Sequence, residues 1–67
     1  MTMITVHRLN GEEIDVNVWL IESIRSTPDT MLVLTNGHLI TVREDRDEVR
    51  ALCEAAMRRT WGRADLA

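Results

Sequence analysis

One stretch decides the fold of this chain: Met31-Leu32-Val33-Leu34-Thr35-Asn36-Gly37-His38-Leu39-Ile40-Thr41-Val42. Two runs rich in apolar and β-branched residues flank an Asn-Gly pair, and both residues of that pair accept positive φ at little cost. The pattern predicts a β-hairpin with a two-residue type I′ turn at Asn36 and Gly37. In that register Val33 pairs with Ile40 and Leu34 pairs with Leu39.

A second Asn-Gly pair, Asn10-Gly11, predicts an earlier hairpin between residues 4–8 and 12–16. A three-residue loop, 9–11, with Gly11 in the left-handed position pairs Val6 with Ile14 and Ile4 with Val16. This register gathers all four apolar residues on one face, whereas a two-residue loop mixes polar and apolar residues on both faces. Because a one-residue slip moves every side chain to the opposite face, we expect the bulged three-residue loop.

The segment between the hairpins predicts a turn at residues 17–19 and a short strand at about residues 20–25. From Asp45 the apolar period changes from two to 3.6, which indicates a helix. Asp45 and Glu48 have the spacing of a capping box, with aspartate as the N-cap. Gly62 is a candidate helix stop. The apolar stripe predicted for this helix consists of Val49, Leu52, Cys53, Ala56, Thr60 and Trp61.

These elements predict an α+β fold, in which a small antiparallel sheet of two hairpins and a middle strand precedes one C-terminal helix. The 67 residues suffice for one small domain, residues 1–67. Its β-rich part spans about residues 3–43, its helix about residues 46–61, and a short tail residues 62–67. Gly11 and Gly37 are the predicted structural turns, and Asp45 is the predicted cap.

The second hairpin is apolar on both of its predicted faces. Leu32, Leu34 and Leu39 form one set, and the other set consists of Met31, Val33, Ile40 and Val42. One helix covers one side of a small sheet, which leaves two alternatives. Either the sheet curls so that the hairpins face each other, or the second face is a surface for self-association or for a partner. The candidate interface residues are Leu32, Val33, Leu34, Leu39 and Trp19, the last as an aromatic anchor.

Composition and residue types argue against several function classes. The net charge of −3 opposes a general grip on nucleic acid, which requires a basic field. The two histidines, His7 and His38, have no serine, cysteine or paired carboxylate at catalytic spacing, and Cys53 lies on the apolar stripe of the helix. We therefore expect no catalytic residues, no metal site and no cofactor. The longest apolar run has four residues, which is too short for membrane insertion.

Several short motifs follow one another in a specific order along residues 3–57. They are Met3-Ile4-Thr5-Val6-x-Arg8-Leu9-Asn10-Gly11, Ile21-Glu22-Ser23-Ile24, Thr27-Pro28-Asp29-Thr30, Leu34-Thr35-Asn36-Gly37 and Val42-Arg43-Glu44. This order resembles the small flagellar motility proteins labelled FlbD or SwrD. Each motif alone is a generic turn, whereas the order and spacing together are specific.

The resemblance implies a cytoplasmic, bacterial, non-enzymatic accessory protein of flagellar motility. It implies support of flagellar motor power through the stator units, with protein–protein binding as the mode of action. We expect a homo-oligomer and, as a further partner, a flagellar motor component. The alternative is a small regulatory protein that binds nucleic acid through the arginine-bearing end of the helix, at Arg58, Arg59 and Arg63.

Overall fold

The computed structural model describes the backbone of residues 2–66 and the side chains of residues 2–60. Its elements are β1 (Met3–His7), β2 (Glu13–Asn17), a one-turn 3-10 helix (Val18–Leu20), β3 (Ile21–Arg25), β4 (Met31–Leu34), β5 (Leu39–Thr41) and α1 (Arg46–Leu66). Strands β1 and β2 form one antiparallel sheet, and β3, β4 and β5 form a second in that order. The predicted α+β class and the order of elements are confirmed.

The first hairpin has the predicted register. Val6 pairs with Ile14 and Ile4 pairs with Val16, across a three-residue loop that ends at Gly11. Gly11 has a φ of 93°, and its N–H donates to the Arg8 carbonyl at 2.9 Å. The left-handed conformation at this position is the one that glycine adopts without steric cost.

The second hairpin contradicts the predicted register. Val33 pairs with Leu39 rather than Ile40, and Leu32 pairs with Ile40. A type I′ turn requires positive φ at both central residues, but only glycines have positive φ in the described part of the chain. Asn36 instead accepts a hydrogen bond from the His38 N–H through its side chain, at 3.0 Å. The loop therefore has three residues, as in the first hairpin, with Gly37 at a φ of 90°.

This shift redistributes the apolar residues of the second hairpin. Leu32, Leu34 and Val42 are buried, whereas Leu39 lies on the opposite face with 59 % of its surface exposed. Grouping Leu39 with Leu32 and Leu34 was therefore wrong, because Leu39 faces outward beside Val33. The inner face of the second hairpin is therefore apolar, as are the inner faces of the first hairpin and of α1.

The two hairpins and the helix share one core. The hairpins meet where Arg8 forms a bridge with Val42 and where the Arg43 N–H donates to the His7 carbonyl at 2.8 Å. The inner faces of both hairpins are thus covered within a single chain, as in the first of the two alternatives, in which the hairpins face each other. The buried core residues are Ile4, Val6, Val16, Val18, Leu32, Leu34, Val42, Val49 and Ala56.

Helix α1 begins as predicted and ends later. The Glu48 N–H donates to Asp45 Oδ1 at 2.8 Å, and the Asp45 N–H donates to Glu48 Oε1 at 3.3 Å, which completes the capping box. The helix continues to Leu66, past Gly62, because an internal glycine costs a helix only about 1 kcal/mol. Leu52 is 38 % exposed and lies beside the buried stripe rather than in it. The prediction for the Trp61 side chain lies outside the described residues.

Candidate functional site

An open groove of about 530 Å³ lies between β3, the 3-10 helix and the first half of α1. The strand side contributes apolar residues together with Glu22 and Ser23, and the helix side contributes a thiol, a thioether and two arginines. The lining residues are Val18, Trp19, Ile21, Glu22, Ser23, Ile24, Arg46, Arg50, Cys53 and Met57. A concave, mainly apolar surface with a few charged groups is typical of a binding site.

The 3-10 helix determines which way the groove's aromatic residue points. Asn17 caps this turn, and its Oδ1 accepts a hydrogen bond from the Trp19 N–H at 3.0 Å. Because consecutive residues of so short a helix point in different directions, Val18 enters the core while Trp19 stays 52 % exposed. The sequence therefore places a large, half-exposed ring at the edge of an apolar groove.

Strand β3 is an edge strand, because β4 is its one strand neighbour among the described residues. At the ends of the β4–β5 ladder, the Val42 N–H donates to the Thr30 carbonyl and the Leu34 N–H donates to the His38 carbonyl. Because backbone groups alternate in direction along an antiparallel strand, Met31 and Val33 bond to β3 on the other side. Their partners on β3 are Arg25 and Ser23, and Ile24 lies between these two. The backbone N–H and C=O of Ile24 consequently point away from β4.

Two arginines form the charged rim of the groove on the helix side. Arg46 and Arg50 are one turn apart and exposed to solvent along one side of α1. Arg50 makes a long ion pair with Glu54, at 3.9 Å. Arg46 is the first residue of the helix, where a positive charge opposes the helix dipole and costs stability rather than adding it.

The thiol of Cys53 lines the groove and is half-buried. Burial and, to a smaller extent, the negative charge of Glu54 raise the pKa of this thiol. A raised pKa disfavours the thiolate, which is the nucleophilic form of cysteine. The groove thus holds Cys53 in a poorly reactive state, and the side chain contributes packing surface.

The five residues predicted as an interface occupy three different places. Leu32 and Leu34 are buried in the core and offer little or no accessible surface. Val33 and Leu39 lie on the outer face of the second sheet, and Trp19 lies at the groove. Gly11 lies at the left-handed position of its predicted loop and Asp45 caps α1, whereas Gly37 ends a three-residue loop rather than the predicted two-residue turn.

The sequence reasoning missed the two arginines of the rim and the exposed edge of β3. Arg46 and Arg50 carried one usable signal, the spacing of four residues at the start of a predicted helix. Their relation to β3 depends on tertiary packing between segments far apart in the chain. By contrast, Arg58 and Arg59 are exposed on α1 and lie outside the groove.

A second polar cluster joins β1 to the segment before α1. The His7 Nδ1 lies 2.6 Å from Glu44 Oε2, and the His7 backbone N–H donates to Glu44 Oε1 at 2.9 Å. Burial opposes the charged form of Glu44, but the hydrogen bonds from His7 outweigh burial, so the pKa of Glu44 is lowered. Glu13 lies 3.6 Å from the other ring nitrogen of His7. These contacts hold the segment before α1 against β1.

Neither a metal site nor a membrane span is found in the described part of the chain. No group of three or more histidine, cysteine, aspartate or glutamate residues is placed to hold a metal ion there. No helix within the same residues is long and apolar enough to cross a membrane.

Comparison with known proteins gives one match. The family model described as FlbD, flagellar and swarming motility proteins, matches residues 3–60. No curated protein and no solved structure matches the chain. The matched residues include all five strands and most of α1 before its last turns.

Proposed function

Because the chain belongs to the FlbD family of flagellar and swarming motility proteins, we propose that it supports motility by binding another protein through the groove. We call the surface formed by Trp19, Arg46, Arg50 and the edge of β3 the motility groove. In this proposal the chain is a cytoplasmic accessory protein. It catalyses no reaction and supports the power of the flagellar motor at its stator units. Membership of the family supports the role in motility.

The exposed ring of Trp19 beside an apolar groove is the observation that carries this proposal. A tryptophan that is 52 % exposed leaves a large apolar area in contact with water. Tryptophan and arginine are enriched among the residues that dominate binding energy at protein interfaces, and the groove combines both. Burial raises the pKa of the Cys53 thiol, which disfavours its nucleophilic form.

The proposal is tested by replacing Trp19 in a strain that has lost its own copy of the gene. Trp19→Ala should reduce the swarming rate, because truncation at an interface anchor typically costs about 2 kcal/mol or more. Leu9→Ala is the matched control, since Leu9 is similarly exposed, at 57 %, and lies outside the groove. Circular dichroism and urea unfolding of both variants check that each retains the fold.

Counting flagella separates the proposed role from a role in assembly. We expect normal numbers of filaments on cells that carry Trp19→Ala, together with slow swarming. Cells that swarm normally with Trp19→Ala would contradict the groove as the functional surface. Cells without filaments would contradict the proposed support of an assembled motor.

We also propose that the chain self-associates through the outer face of the second sheet. Val33 and Leu39 are paired there, and among the side chains of residues 2–60 Leu39 is the most exposed large apolar one. Val33→Glu should disrupt the assembly with little effect on the fold, whereas Leu34→Glu should unfold the chain because it buries a charge. Light scattering with circular dichroism distinguishes these outcomes. A parent chain that remains monomeric at high concentration would contradict self-association.

A further inference from the structure

The motility groove has an open strand edge along one wall. Ile24 directs its backbone N–H and C=O away from β4, and Ile21 and Ile24 place half-buried side chains beside them. An unpaired edge is a ready template for another extended segment, which adds main-chain hydrogen bonds and places alternate side chains on the groove floor. Natural proteins usually protect such edges with a covering element, with charges or with a bulge; β3 has a register shift between Ile21 and Ser23, and Ile24 lies beyond it.

The opposite wall determines what kind of segment fits. Cys53 and Met57 provide an adaptable apolar surface on α1, since the unbranched thioether side chain of methionine adjusts to irregular shapes. Arg46 and Arg50 place two positive charges at the rim, and Glu22 is the one carboxylate among the lining residues. Two arginines against Glu22 leave a small excess of positive charge in the lining, part of which the long Arg50–Glu54 ion pair offsets, on a chain whose net charge is −3.

We infer that the motility groove accepts an extended acidic segment of a partner protein, which adds to β3 as a further strand. Apolar side chains of the segment contact Ile24, Cys53 and Met57, while its carboxylates face Arg46 and Arg50. This inference rests on the proposed function and specifies the chemistry of the partner. It accounts for an arginine at the first position of α1, where the helix dipole disfavours positive charge.

A second copy of the chain fits this edge less well than an acidic partner. Symmetric pairing of β3 with β3 of another copy brings the two arginine-bearing rims together. Like charges brought together across an interface oppose binding. The charge of the rim thus favours a different, acidic chain at this edge, which is separate from the outer face proposed for self-association.

Hydrogen exchange measured by NMR tests strand addition directly. The probe is a short capped peptide of alternating valine and glutamate, and the control peptide alternates valine and lysine. With the glutamate peptide at ten times its dissociation constant, we expect the Ile24 amide to exchange about tenfold more slowly. The Ser23 and Arg25 amides, which already face β4, should change little.

Charge reversal within the groove provides the second arm of the experiment. Arg50→Glu should abolish the preference for the glutamate peptide, whereas Arg58→Glu, a matched change on the same helix outside the groove, should retain it. Added salt should weaken binding of the glutamate peptide, because these charges are exposed. Equal binding of both peptides, or no protection at Ile24, would overturn the inference. If the Ile24 amide is protected in the absence of peptide, and this protection rises with protein concentration, the edge binds a second copy and the inference is overturned.

The two proposals fail in distinguishable ways. If Trp19→Ala abolishes swarming but neither peptide protects Ile24, the proposed function stands and strand addition is wrong. If the glutamate peptide protects Ile24 but groove variants swarm normally, strand addition stands as a property of the groove and its proposed role in motility is wrong.

Discussion

The register of the second hairpin makes a quantitative prediction about two leucines. The observed pairing buries Leu32 completely and leaves Leu39 59 % exposed on the opposite face, whereas the two-residue turn would have placed both on one face. Leu32→Ala and Leu39→Ala remove the same atoms from one hairpin. They should therefore differ strongly in their effect on stability.

The magnitude follows from burial and from the size of the chain. Truncating a fully buried leucine to alanine costs about 2–5 kcal/mol, because a cavity remains in addition to the lost apolar transfer. A chain of 67 residues has a total stability of roughly 3–10 kcal/mol. Leu32→Ala should therefore remove a large fraction of the stability, while Leu39→Ala should change it by less than about 0.5 kcal/mol.

Urea unfolding followed by circular dichroism measures both changes. With a slope of about 1 kcal/mol per molar, typical of a small domain, the midpoint of Leu32→Ala should fall by about 2 M or more. Leu32→Met, which approximately conserves volume and costs less than about 1.5 kcal/mol, keeps the test informative if the alanine variant does not fold. Equal losses for Leu32→Ala and Leu39→Ala would refute the observed register.

Three further predictions concern a turn, a cap and a carboxylate. Gly11→Val should cost at least about 1–2 kcal/mol in urea unfolding, because a β-branched residue resists positive φ; the added Cβ meets no closer neighbour than 3.7 Å, so the cost is backbone strain. Asp45→Ala should lower the urea midpoint by the equivalent of about 1 kcal/mol with an unchanged slope, and an unchanged midpoint would mean that this cap contributes nothing. Because the folded-state pKa of Glu44 is lowered, its stabilisation is complete above the ordinary value of 4.5 and is lost as the pH falls through the lowered pKa. Glu44→Gln should therefore reduce the loss of stability in acid, and an identical pH profile would contradict this assignment.

The first hairpin was predictable to the exact register because its apolar residues fill a single face. Only the three-residue loop places all four apolar residues, Val6, Ile14, Ile4 and Val16, on one face. Burial of that face selects this loop. The second hairpin offered no such choice, because both of its faces are apolar and either register buries several large side chains. The loop has three residues because Asn36 accepts a hydrogen bond through its side chain instead of adopting positive φ.

The motility groove could be predicted only in part. Trp19 was identifiable because a tryptophan in a turn between hairpins is a candidate anchor. The basic rim and the edge of β3 arise from packing of α1 against a strand more than twenty residues earlier in the sequence, and no local pattern reports such a contact. A positive charge at the start of a helix remains the one local sign of the rim, because it opposes the dipole.

The torque of single flagellar motors tests the central claim most directly, namely that the motility groove supports motor power. The measurement compares cells that carry Arg50→Glu with cells that carry Arg58→Glu, in a strain without its own copy and at equal protein levels. We expect lower torque with Arg50→Glu, at normal filament number, and the torque of the parent with Arg58→Glu. Equal torque in both strains would contradict a role of the groove in motor power.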